Sequence, residues 1–132
     1  MDGRIRAALD AARKYSAGNI KQSAAKKIAY CNCRDAARES ENHLAAQAAA
    51  RACGQAALTV HTPLHSIGMV FYAMAAIAYS RAGIAESKEV YDRIAEEECA
   101  KAEASLYAVL VQNEPNPAKL NWWKNSIFGQ RK

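Results

Sequence analysis

The chain has 132 residues, of which 51% are hydrophobic and 8% aromatic, and it carries a net charge of +5. This length accommodates one domain, and the alanine-rich composition excludes collagen-like and disordered proteins. The charged first ten residues do not resemble a secretory signal peptide.

Apolar residues recur at helical spacing along most of the chain, which predicts an all-α bundle of about five helices plus a short C-terminal helix. The first helix is predicted over residues 3–16. Gly18 lies just past its end, where glycine adopts a left-handed backbone at little cost. Asn19 is predicted to cap the second helix, which ends near Glu39.

The remaining predicted elements are three long helices, each preceded by a polar residue, and a short last helix. They are 43–60 after Asn42, 63–82 after Thr62, 88–112 after Ser87, and 117 to the Trp122-Trp123 pair. Pro63 suits the first turn of a helix, because the N–H that it lacks would have no helical partner there. The helices form one predicted bundle domain, residues 1–124, followed by a basic tail, residues 125–132, that we expect to fray.

No charged residue occurs between Ala52 and Ser80, which raises the question of a membrane span. A spanning helix needs about 20 apolar residues. The longest apolar part of this segment, Ile67 to Tyr79, has only 13 residues. We therefore predict no membrane association, and we expect these residues to form the central helix of the bundle.

The charge is unevenly distributed along the sequence. Residues 1–34 contain eight lysines and arginines and two acids, whereas residues 84–115 contain three lysines and arginines and eight acids. A basic front and tail are typical of contacts with nucleic acid. The acidic fifth helix argues against a continuous phosphate-binding surface, so nucleic acid is not the predicted partner.

Two histidines, His61 and His65, are four residues apart, a spacing that allows two metal ligands on an unbroken helix. Pro63 lies between them and favours the alternative, in which the histidines are structural or contact a partner. Glu98 falls on the core-facing side of the predicted fifth helix, where a carboxylate must be paired or protonated. We hypothesise that Glu98 pairs with one of these histidines; a solvated acidic face is the alternative.

No arrangement of residues supplies a nucleophile with its base, so we predict neither an enzyme nor a cofactor. Cys31 and Cys33 lie about 200° apart around a helix. They match neither a CxxC redox motif nor half of a zinc ribbon. All four cysteines lie in predicted helices rather than in a loop-rich disulfide scaffold, so we expect reduced thiols and a cytoplasmic location.

Four stretches of the chain together resemble a known family. They are 45–51 (AAQAAAR), 60–66 (VHTPLHS), 90–99 (VYDRIAEEEC) and 113–119 (NEPNPAK). The chain is similar, from roughly Arg6 to Trp122, to the immunity proteins of bacterial polymorphic-toxin systems, in the immunity-protein-five-like group. Members of that group have a further helical segment ahead of the part that matches Arg4. The resemblance thus implies a shortened domain, for which self-association is one way to cover the surface left bare.

The resemblance implies a cytosolic, non-catalytic protein that protects its producer by binding a cognate toxin. Many toxins in such systems are nucleases with basic active sites, so the acidic fifth helix is expected to imitate a nucleic-acid backbone. The predicted binding residues are His61, His65, Glu86, Glu89, Glu96, Glu97, Glu98, Glu103, Asn113, Asn116 and Trp122. Two alternatives stay open. One is a small helical protein that binds a metal or another ligand through the histidines and Glu98, and the other is a helical homodimer of a different function.

Overall fold

The computed structural model describes residues 2–113 and Pro115. Five α-helices follow one another: α1 (Gly3–Ser16), α2 (Gln22–Glu39), α3 (Leu44–Leu58), α4 (His65–Ala82) and α5 (Lys88–Val109). No strand occurs among these described residues, which confirms the predicted all-α class. The predicted last helix and the basic tail lie outside the described residues.

The junction between α1 and α2 shows both a confirmed prediction and a wrong one. Gly18 has a φ of +76°. The N–H of Gly18 bonds to the carbonyl of Tyr15, and the N–H of Asn19 bonds to the carbonyl of Lys14, each at 2.8 Å. This pair of bonds closes the C-terminus of α1. Asn19 therefore belongs to the end of α1 and does not cap α2, which begins only at Gln22.

The predicted starts of α3 and α4 are also wrong. His43, not Asn42, precedes α3, and its side chain makes no capping bond. The segment before α4 is a tight turn in which the N–H of Ser66 bonds to the carbonyl of Pro63 at 2.9 Å. This turn keeps Thr62 from acting as the cap of α4. The hydroxyl oxygen of Thr62 is buried without a hydrogen-bond partner among the described residues.

The core of the bundle is made of small side chains. Ala8, Ala29, Cys33, Ala57 and Leu58 form its main buried cluster. A Cβ atom added to Gly54 on α3 would lie only 2.9 Å from Cys33 Cβ on α2, so these two helices approach closely. The small side chains of α3 allow this close packing, and α3 contacts α1, α2 and α4.

The prediction that α4 is the central helix is wrong. Among the described helices α4 packs against α3 and α5, and Ala78 is its one fully buried residue. Phe71 is 72% exposed. The uncharged composition of α4 therefore reflects a half-exposed apolar helix on the outside of α3. Within the part of the chain that the structure describes, no helix combines the length and apolarity needed to cross a membrane.

Candidate functional site

The two histidines meet at the corner between α3 and α4. The ring centroids of His61 and His65 are 6.3 Å apart. His65 Nδ1 lies 2.6 Å from Gln55 Oε1, and since a carbonyl oxygen only accepts, the imidazole donates. Lys26 Nζ lies 3.1 Å from His61 Nε2. Burial, and then electrostatic repulsion from the neighbouring His61 and Lys26, lowers the pKa of His65 below 6.5.

The hypothesis that Glu98 pairs with a histidine is wrong. Glu98 Oε1 lies 2.5 Å from Lys101 Nζ and 3.3 Å from Arg81 Nη1. Arg81 is near the C-terminus of α4, whereas His65 is its first residue, so about 24 Å of helix separates them. The prediction that Glu98 faces inward holds, because its side chain is only 16% exposed.

The metal site considered for this corner has too few ligands. Among the described residues, no group of three or more His, Cys, Asp or Glu side chains is placed to hold a metal ion. The two imidazoles are instead engaged by Lys26 and Gln55. The corner is therefore a hydrogen-bonded junction that fixes the path of the chain from α3 into α4.

The predicted acidic surface forms along α5 and the loop before it. Its exposed carboxylates are Glu86, Glu89, Glu96, Glu97 and Glu103. Glu97 binds Arg81 at 2.9 Å, and this bond lowers the pKa of Glu97. The Ser87 hydroxyl lowers the pKa of Glu89 in the same way. Asn113 is exposed with a φ of +57°, and Asn116 and Trp122 lie outside the described residues.

The second half of α5 differs in burial from the first half, which contains the buried Ile94. Every residue from Cys99 to Val109, here called the distal half of α5, is exposed. Leu106 is 65% exposed and Val109 74% exposed. An apolar stripe runs through this half at intervals of three and four residues: Cys99, Ala102, Leu106 and Val109. The distal half of α5 therefore presents apolar side chains beside Glu103, directly after the acidic run of the first half.

A further site was not predicted from the sequence. A cleft of about 290 Å³ lies between α2, α3 and α4. Six of its lining residues form two rows at intervals of four along adjacent helices: Tyr30, Arg34 and Arg38 on α2, and Gln47, Arg51 and Gln55 on α3. We call it the arginine cleft. The spacing is visible in the sequence, but only the α2–α3 register brings the two rows together.

Two of the arginines in this cleft lie over aromatic rings. Arg34 Cζ is 5.3 Å from the Tyr30 ring centroid, and Arg51 Cζ is 5.7 Å from that of Tyr72 on α4. Arg34 also binds Asp35 at 3.0 Å. Cys33 lies at the floor of the cleft, where burial raises the pKa of its thiol to about 11. The thiol is therefore protonated at neutral pH and is a poor nucleophile.

Comparison with known proteins identifies a family for this chain. Residues 1–105 match a family model described as Imm-5 like putative immunity protein. The matched part includes the histidine corner, the arginine cleft and α5 as far as Ser105, and it ends before the 113–119 stretch. No curated protein and no solved structure matches the chain. Since the match spans most of its length, the chain belongs to the Imm-5 like putative immunity protein family.

Proposed function

We propose that this chain is a non-catalytic immunity protein that acts in the cytoplasm by binding and neutralising a cognate toxin. The observation that carries the proposal is the distal half of α5, where large apolar side chains are exposed beside Glu103 and directly after the glutamates of the first half of the helix. Exposed apolar surface of this kind marks sites of protein association. The four free cysteines fit a reducing compartment.

The charges of α5 indicate the chemistry of the partner. Glu96 follows Ala95, which lies four residues before Cys99 on the same face, and Glu103 follows Ala102. The two glutamates are therefore seven residues apart along one edge of the apolar stripe. A partner with an apolar groove and a basic rim would satisfy both the stripe and the glutamates. The active site of a nuclease is such a basic surface, because it binds the phosphate backbone.

The same charges disfavour a dimer in which α5 packs along α5 of a second copy. Such a contact would bring the glutamates of the two copies together beside the stripe, and like charges at those positions repel. Self-association through another face, such as the outer side of α4, is a separate prediction. Light scattering of the purified protein tests it.

Testing the proposed function requires a candidate toxin, and the genes adjacent to this one are the first place to search for it. Co-expression should restore growth, and the purified proteins should form a complex. We expect Leu106→Asp to weaken the complex by about tenfold or more, because it places a charge in the apolar stripe. Ile84→Asp is the matched control, since Ile84 is also 65% exposed but precedes α5.

A charge-reversal variant tests the acidic contribution separately. Glu103→Lys should slow association and make the affinity less dependent on salt. Glu41→Lys, an equal change in the exposed α2–α3 turn, should leave both unchanged. If the unmodified protein neither protects against the toxin nor binds it, the function is wrong. If it protects but Leu106→Asp and Glu103→Lys have no effect, the toxin binds elsewhere.

A further inference from the structure

The arginine cleft contains an excess of positive charge that the fold does not neutralise. Arg34 has Asp35 as its partner. Arg38 and Arg51 form no ion pair with any carboxylate among the described residues, and no carboxylate lines the cleft. Grouping cations without a counter-charge costs free energy through their mutual repulsion. An anion bound in the cleft would remove that cost.

The walls and floor of the cleft differ in chemistry. The walls carry the guanidinium and amide groups of the two rows, whereas the buried residues Ala29, Ala37 and Gly54 leave the floor without polar side chains. The close approach of α2 and α3 at Gly54 limits the depth of the cleft. The ring of Tyr72 bounds the cleft from α4. A ligand that fits has a charged end for the walls and a flat apolar part for the floor.

Two of the three guanidinium groups, those of Arg34 and Arg51, are oriented by contacts within the protein. Stacking of Arg34 on Tyr30 and of Arg51 on Tyr72 restricts both side chains before anything binds. The amide of Gln47 donates to the carbonyl of Ala37 at 3.2 Å, which ties the two walls together at one end. Guanidinium groups match carboxylate and phosphate oxygens in pairs, which a lysine does not do.

We propose that the arginine cleft binds a small organic oxyanion, a phosphate or carboxylate attached to a flat apolar group, between Arg38 and Arg51. The volume of about 290 Å³ is just below the range of roughly 300–1,000 Å³ for ligand pockets, which suits a compound with a single ring. This site is on α2 and α3 and does not depend on toxin binding through α5.

The experiment titrates the full chain with four probes by calorimetry, with chemical shifts of backbone amides as a second readout. Phenyl phosphate and benzoate represent the two kinds of oxyanion on a ring, inorganic phosphate lacks the ring, and phenol lacks the charge. We expect saturable binding of phenyl phosphate or benzoate, weaker binding of inorganic phosphate and none of phenol. The tighter of the two ring compounds identifies the oxyanion. The shifts should concentrate around Ala37 and Gly54 at the floor of the cleft.

Variants of the cleft residues separate a built site from general attraction to a basic protein. Arg51→Gln and Arg38→Gln should each weaken the binding by about tenfold or more. Arg51→Lys keeps the positive charge and should recover only part of the affinity that Arg51→Gln loses. Arg93→Gln removes the same charge from the exposed surface of α5 and should change the affinity by less than about twofold.

The inference is overturned if neither phenyl phosphate nor benzoate binds with a dissociation constant below about 10 mM. It is equally overturned if Arg93→Gln weakens binding as much as Arg51→Gln, because the attraction would then be diffuse. Protection against the toxin by Arg51→Gln should equal that of the unmodified protein. A failure of the oxyanion site is thus distinguishable from a failure of the immunity function.

Discussion

Two regions of the molecule are both rich in alanine but differ in which side chains they bury. One is the packed region formed by α1, α2 and α3, and the other is the distal half of α5. In the packed region alanines and a glycine are buried, and Leu58 is the largest member of the main cluster. In the distal half of α5 the large side chains Leu106, Tyr107 and Val109 are exposed. The usual order, in which the largest apolar residues are the most buried, is reversed.

This difference separates the residues that hold the fold from those available to a partner. Small side chains let α2 and α3 approach until a single added Cβ at Gly54 would clash. Exposed leucine and valine contribute little to the folded chain alone, because burial is what makes apolar surface stabilising. Substitutions of the same kind in the two regions should therefore have very different effects on stability.

The largest difference is expected for truncation of a leucine. Leu58→Ala should lower the free energy of unfolding by about 2–5 kcal/mol, because Leu58 is only 8% exposed and its loss leaves a cavity. Leu106→Ala should change it by less than about 0.5 kcal/mol. Chemical denaturation of both variants measures the contrast. Similar losses would mean that the distal half of α5 is packed against part of the same chain.

Enlarging a small residue tests the same contrast from the other side. Gly54→Leu should cost about 1–3 kcal/mol, because its side chain must displace Cys33 where α2 and α3 are closest. Ala104→Leu, on the exposed distal half of α5, should stay within about 0.5 kcal/mol of the parent. Thermal melting followed by circular dichroism measures both. A tolerated leucine at Gly54 would show that α2 and α3 separate easily.

Ion pairs provide a third contrast. Arg4 joins α1 to α2 through Glu39 at 2.7 Å and also binds Asp2. These bonds lower the pKa of Asp2 below 3.8 and of Glu39 below 4.5. Their stabilisation is therefore present above pH 4.5 and lost as the pH falls through the lowered values.

Arg4→Gln should accordingly reduce stability at neutral pH, and the difference from the parent should disappear in acid. Lys88→Gln is the control, because the Lys88–Asp92 pair spans one turn of an exposed helix and joins no two elements. Urea denaturation at a series of pH values measures the difference. If Arg4→Gln lowered stability equally at neutral and at low pH, its effect would not come from the ion pairs with Asp2 and Glu39.

Local sequence signals predicted the helices well but not their partners. Gly18 and Gly83, both with positive φ, mark helix ends that are visible in the sequence. The start of α2 was missed because the N–H of Asn19 bonds back to α1. Periodicity placed Glu98 on the inward face, yet its contact with Arg81 depends on how far along α4 the two helices meet.

The same limit applies to the functional surfaces. Helical periodicity places Leu106 and Val109 on one face of α5, but it does not reveal whether another helix lies opposite, so the exposure of Leu106 was not predicted. The arginine cleft depends on the register between two helices. A single sequence contains the interval of four between Arg34 and Arg38, but not the identity of the facing row.

The pKa of His65, at the corner of α3 and α4, reports whether the packed region extends beyond α3. Its pKa is lowered below 6.5 by burial, so the folded state favours the neutral imidazole. As the pH falls through 6.5 the unfolded chain takes up a proton that the folded chain does not, and stability declines until His65 itself is protonated. Melting at about pH 7.5 and about pH 5.5 should show this loss, and His65→Gln should reduce it.

Nuclear magnetic resonance titration of the His65 ring measures the cause directly. Lys26→Gln should raise the pKa of His65, because the ammonium group contributes to its lowering. A His65 pKa at or above 6.5 would show that this corner is exposed to solvent, as the distal half of α5 is. A lowered value would extend the packed region from α3 across Gln55 to the first turn of α4.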